Sequence, residues 1–130
     1  MRLFCAAVSL ICIHSLLAAE AVAKMRFLPG AIAMKDEILL YVKPGMQVQR
    51  AAEIMQHSGF VCQRKFNTDF LATDHGKSEH QYLKSKNYLY CDHTEPGFFM
   101  LTAARRWQVA LLIADEKITE VYVSYGLIGP

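Results

Sequence analysis

The side chains able to do chemistry in this sequence are a cysteine pair, Cys62 and Cys91, and the histidines and carboxylates around them: His57, Asp74, His75, Glu79, His80, Asp92 and His93. Imidazole and carboxylate oxygen are what zinc or copper would recruit. His75 and His80, however, stand five residues apart in a polar stretch. No regular element would bring them to one face, and no HExxH motif accompanies them. Solvated polar residues are the expectation, with no metal site and no cofactor. Ser78, Glu79 and His80 hold the ingredients of nucleophilic catalysis. Adjacent loop residues seldom converge, and no GxSxG elbow is present, so no catalytic residue is assigned and the chain is read as a non-enzyme.

The two cysteines make more sense once the N-terminus is read. Arg2 is followed by an apolar run from Leu3 to Leu17 and then by the small residues Ala18, Ala19, Ala21 and Ala23. Charge, apolar centre and small-residue exit are the order of a secretory signal. A retained membrane anchor is the alternative, but the run carries His14 and Ser15 and is short of the roughly 20 residues a span requires. Residues 1–23 are therefore expected to be a signal peptide cleaved before Lys24, with cleavage after Ala21 also permitted. Its removal discards Cys5 and Cys12 and leaves Cys62 and Cys91 in an oxidising compartment, periplasmic or extracellular, where they are expected to pair. A closed loop of about 30 residues adds about 3–4 kcal/mol in the chain-entropy model. A catalytic thiol or metal-ligand pair is the competing reading, with no CxxC in its favour.

Fourteen Lys and Arg against twelve Asp and Glu give a formal charge of +2. The signal takes away one charge of each sign, Arg2 and Glu20, so this weak excess persists. It is too dispersed for a nucleic-acid footprint. A partner-binding patch is sought instead among aromatic and basic residues: Tyr82, Tyr88 and Tyr90, the run Phe98, Phe99, Met100 and Leu101, and Arg105 with Arg106. Core packing would explain most of the aromatics, and charges flanking an edge strand would explain the arginines.

The elements that must position these residues are read from periodicity. Residues 24–36 contain Pro29 and Gly30 and show no period, so a flexible leader is expected. Glu37 to Lys43, with its apolar run Ile38 to Val42, reads as an extended segment ended by Pro44 and Gly45. Val48, Ala51, Ala52 and Met55 recur at helical spacing among polar neighbours, predicting a helix over 47–57 with Gly59 past its C-terminus. Val61 to Phe66 and Tyr88 to Cys91 read as short strands, and 67–86 as a long polar loop. Trp107, Val109, Leu111 and Ile113 alternate, as do Thr119, Val121, Val123 and Tyr125, predicting a hairpin turning at Ala114 to Lys117. The expected architecture for 37–130 is one α+β domain in two layers, one or two short helices on a small antiparallel sheet.

This order resembles the small envelope domains of the SmpA/OmlA (BamE-like) family and the repeats of β-lactamase inhibitor proteins. The residues that carry the resemblance are Pro44, Gly45 and Met46 opening a helix with Val48 at the hydrophobic position, and the C-terminal strands of Trp107, Val109 and Leu111 followed by Val121 and Val123. The resemblance implies a non-enzymatic scaffold or inhibitor that binds another protein of the envelope. A departure from the family is that no cysteine follows the small-residue exit, since Cys5 and Cys12 lie inside the apolar run, so no stable membrane anchor is expected after signal cleavage. Ser58, Gly59 and Phe60 stand where the assembly family usually has a Gly-x-Pro turn, and Cys62 and Cys91 are additions. No family binding residue is carried over.

Overall fold

A computed structural model describes residues 24–78, 80–98 and 101–129. The expected signal at 1–23 lies outside the described residues, as do Glu79, Phe99 and Met100. The chain forms two short helices, α1 (Ala31–Leu39) and α2 (Val48–His57). Four antiparallel strands come after them, β1 (Val61–Thr73), β2 (His80–Glu95), β3 (Ala104–Ala114) and β4 (Lys117–Ile128), paired in sequence order. The fold class is α+β. Among the described residues no helix is long and apolar enough to cross a membrane.

The α2 helix forms where the 3.6-residue period places it, burying Val48, Ala51, Ile54 and Met55. It ends in a Schellman arrangement: Phe60 N–H donates to Met55 O at 3.0 Å and Gly59 N–H to Gln56 O at 3.1 Å. Gly59 takes φ +111°, a value that only glycine adopts cheaply. No side chain caps the start of α2. Val48 N–H donates instead to Glu116 O at 3.0 Å, while Gly45 N–H and Met46 O bond Ile118 at 2.7 and 2.8 Å. The β3–β4 turn thus satisfies the helix's orphan donor. Its central residues, Asp115 and Glu116, both have positive φ, as a two-residue hairpin turn requires.

Two segments differ from the sequence reading. Residues 24–36, expected to be a flexible leader, are packed: Met25 is buried, and its N–H reaches Ser58 Oγ at 3.3 Å. Phe27 stacks on His93 with centroids 3.9 Å apart, and Leu28 O accepts a 2.8 Å bond from Trp107 Nε1. Residues 31–39 are helix rather than leader and extended segment. The apolar run 38–42 imitates a strand because α1 buries Met34 and Ile38 together with an acid, Glu37, which breaks the apolar period. That carboxylate accepts Arg26 N–H at 3.1 Å and pairs with its guanidinium at 3.4 Å, tying the N-terminal strap to the helix.

The third difference is the expected loop 67–86, which is the outer part of a long β1–β2 hairpin. Its alternation is disguised by two opposed bulges, between Lys65 and Thr68 and between Thr68 and Phe70 in the β1 register, with Asn67 and Ser85 in left-handed conformation. One extra residue in each strand restores the pairing, so that Phe70 opposes Leu83 and Leu71 opposes Tyr82.

Both faces of the sheet are apolar. One contributes Leu89, Cys91, Trp107, Val109, Leu111 and Val121 to a cluster that also contains the buried apolar residues of α1 and α2. The other contributes Tyr88 and Ala110, joined by Phe70 and Ala72 of the outer hairpin.

Glu37 supplies a pH-dependent part of this stability. The Arg26 backbone N–H, against the opposing effect of burial, holds its carboxyl below the ordinary value. A depressed folded value means the contribution is present above the unfolded carboxylate range and is lost as pH falls through the folded value. Glu37→Gln should therefore cost about 1–3 kcal/mol at neutral pH. In thermal unfolding, the gap from the wild type should close under acid conditions.

Candidate functional site

The outer hairpin carries Tyr82 and the polar candidates Asp74, His75, Ser78 and His80, so its geometry decides what they can do. A residue in left-handed conformation within a strand turns its N–H out of the ladder, and a donor displaced in this way needs another partner. Here side chains supply both: Asn67 N–H donates to Asn87 Oδ1 and Ser85 N–H to Asp69 Oδ1, each at 2.8 Å and each across the strand pair. The bulged strands bend, and the far end of the hairpin returns to β4. Thr73 N–H reaches Ser124 Oγ at 3.2 Å and His75 N–H reaches Tyr125 O at 3.0 Å. Asp74 Oδ1 accepts Ala31 N–H at 3.1 Å, placing a carboxylate at the start of α1 where the helix dipole favours it.

Asp69 is the hub of the bend. Its second oxygen accepts the phenol of Tyr82, and its backbone carbonyl accepts the Tyr88 hydroxyl at 2.9 Å. The Tyr82 phenol, with Ser85 N–H second, holds the Asp69 carboxyl below its usual range, and the carboxylate in turn raises the Tyr82 phenol. Tyr82 is 59% exposed and Leu71, opposite it, is 47% exposed. Phe70 and Leu83, the neighbouring pair, point inward to the second cluster, so Leu71 and Tyr82 occupy the outward face.

Of the apolar run 98–101, Phe98 and Leu101 are exposed and the other two lie outside the described residues. The remaining five residues expected to bind a partner, three tyrosines and two arginines, do not form one patch. Tyr88 is 2% exposed, its ring edge-on to Phe70 at 5.7 Å, and burial raises its phenol; it is core, not interface. Tyr90 is half-buried and accepts Gln108 Nε2 at 2.7 Å. Arg105 bonds Glu95 at 2.5 Å and lies over the Trp107 ring, while Arg106 takes Asp92 in two bonds of 3.0 and 2.8 Å. β3 is a central strand, so these arginines are cross-strand ion pairs rather than charges guarding an edge. Only Tyr82 of the set is both exposed and set apart from the core. Sequence reading missed Asp69 and Leu71, whose alternation with Phe70 and Ala72 is the signal that the bulges interrupt.

The polar candidates separate similarly. Among the described residues no group of three or more His, Cys, Asp or Glu gathers as a metal site would need. His93 is stacked on Phe27 with Nδ1 2.9 Å from Gly59 O. Ser78 and His80 line an open cavity of about 570 Å³ between the hairpin tip, α1 and β4. His80 Nδ1 sits 3.2 Å from the Ser78 carbonyl, which supplies no hydroxyl for it to activate. Cys62 and Cys91 are direct cross-strand partners with sulfurs 2.8 Å apart, in contact but not at bonding distance. Burial pushes the Cys91 thiol well up, and its contact lowers that of Cys62.

Removing the hub has a readable outcome. In Asp69→Ala the Tyr82 phenol loses its acceptor, so ultraviolet titration should show one tyrosine ionising at lower pH than in the wild type. The Ser85 amide should exchange faster with solvent, while amides of β3 should not change.

Compared with known proteins, the chain matches no family model, no curated protein and no solved structure.

Proposed function

We propose that this chain is an exported, non-enzymatic binding module that acts on a protein partner in the cell envelope or outside the cell. The observation that carries the reading is the exposed Leu71–Tyr82 pair, set on paired strands and not on a loop. Apolar side chains held in one orientation lose little entropy on binding, which is the property of an interface anchor. Tyr82 is further oriented by its bond to Asp69.

Export is supported by the charge, apolar run and small-residue exit of residues 1–23. The cysteines agree with it: Cys62 and Cys91 face each other across β1 and β2, and in an oxidising compartment they form a disulfide. The arrangement proposed for the domain is two layers, with α1 and α2 on one face of the sheet; their buried residues share a cluster with β2, β3 and β4. The resemblance to SmpA/OmlA domains and β-lactamase inhibitor proteins belongs to the same proposal. It rests on the helix opened by Pro44, Gly45 and Met46 and on the C-terminal strands, and it favours a scaffold, inhibitor or immunity role over catalysis.

Two measurements test this. A photo-crosslinking amino acid at position 82, introduced in the exporting cell, should yield a discrete protein adduct that the same group at Gln49 on the solvent face of α2 does not. Tyr82→Ala should weaken binding of the captured protein by about 30-fold or more, as truncation of a central anchor does. Monomer alone at position 82 overturns the binding role. Separately, thiol titration of the denatured, unreduced exported protein should find no free sulfhydryl, and two would refute the staple.

A further inference from the structure

The two cysteines sit in unequal places, and the inequality sets the order of their chemistry. Cys62 lies on β1, an edge strand with no further strand beyond it, and its side chain is partly exposed. Cys91 lies on β2 between β1 and β3, opposite Cys62 on one side and Val109 on the other. It is fully buried in the cluster that holds the apolar residues of α1 and α2. The sulfurs touch at 2.8 Å with both thiols free. That contact lowers the Cys62 thiol while burial raises the Cys91 thiol, so Cys62 carries the larger share of thiolate.

A disulfide forms by exchange: a thiolate attacks one sulfur of a donor disulfide, and a second thiol resolves the mixed disulfide. Each displacement needs the attacking and leaving sulfurs on opposite sides of the sulfur attacked. Cys62 meets this requirement, because Cys91 approaches it from the β2 side and the donor sulfur departs on the open side of β1. Cys91 does not, because its side away from Cys62 is filled by β3, with Val109 as the direct partner.

Resting on the disulfide proposed above, we propose that Cys62, reached from the outer edge of β1, is the entry site for a disulfide donor and that Cys91 is the resolving thiol. In the first step the Cys62 thiol gives its proton to solvent and its sulfur attacks one donor sulfur. The donor S–S bond breaks, and the first donor thiolate leaves and takes up a proton. In the second step Cys91 loses its proton to solvent and attacks Cys62 Sγ, forming the Cys62–Cys91 bond and releasing the second donor thiol. The protein gives up two electrons and the donor gains two.

The probe is oxidised glutathione, added to the exported protein after reduction and removal of the reductant, with the reaction stopped by acid and the products mapped by mass. The expected transient is a glutathione adduct on Cys62, followed by the disulfide. Iodoacetamide on the same reduced protein should modify Cys62 about tenfold or more faster than Cys91, a comparison that needs no variant. Cys91→Ala should accumulate the Cys62 adduct. In the exporting cell the same variant should carry a mixed disulfide at Cys62, whose mass distinguishes a small thiol from a protein oxidoreductase as the donor. A first adduct on Cys91, adducts shared evenly, or equal alkylation rates would overturn the proposal. So would a free Cys62 in exported Cys91→Ala beside a fully oxidised wild type. The two readings fail separately. A disulfide that forms by way of Cys91 sinks the order and leaves the staple, whereas folded protein that keeps two free thiols under the oxidant sinks both.

Discussion

A four-stranded sheet with apolar residues on both faces must have both faces covered, and the described chain has only two short helices to do it. Apolar area left in water forgoes about 25 cal/mol per Å², so the uncovered face is the constraint that the rest of the molecule answers. Helices α1 and α2 bury their apolar residues with Leu89, Cys91, Val109 and Leu111. For the other face the chain uses its own hairpin, bent at the Asn67 and Ser85 bulges so that Phe70 and Ala72 lie with Tyr88 and Ala110. Bending carries a cost, since two non-glycine residues enter the left-handed region. Asn87 and Asp69 offset it by accepting the N–H groups those conformations turn aside.

Trp107 performs the corresponding task in the cluster that holds the buried apolar residues of α1 and α2. It is fully buried, donates its indole N–H to Leu28 O, and packs on Phe27 and Tyr125 at centroid distances of 5.1 and 5.5 Å. The N-terminal strap is thereby held from two directions, by Trp107 on β3 and by Glu37 on α1. The same economy recurs at α2, whose first amide is satisfied by the β3–β4 turn. Each helix start leans on a distant turn or strand end, Asp74 for α1 and Glu116 for α2, so the helices have few independent caps and depend on the sheet for their placement.

The proposed binding face is a by-product of that bend. Turning Phe70 and Leu83 inward necessarily turns Leu71 and Tyr82 outward, because successive strand residues point to opposite faces. Asp69 serves both purposes: it completes the bulge through Ser85 and fixes the outward tyrosine through its phenol. Fold and proposed interface are thus coupled through one carboxylate.

Much of the fold was legible in the residues. Helical spacing locates α2, Gly59 marks its end, and alternation locates β3, β4 and the turn between them, because each of these depends on a local period; only the start of β4 is out of phase, where a bulge buries Ile118 and exposes Thr119. Counting pairs the cysteines, and the structure sets them opposite each other with the sulfurs in contact but not at bonding distance. Three features were decided only by tertiary packing. The strap and α1 looked unstructured because their order comes from Trp107, Ser58 and a buried Glu37, none of which leaves a local signature. The outer hairpin looked like a loop because one extra residue in each strand shifts the alternation, and only the pairing of β1 with β2 reveals that the shifts cancel. For the same reason sequence could not sort Tyr88 from Tyr82: tyrosine suits a core or a surface equally, and which it meets depends on which way a bulged strand turns its side chains.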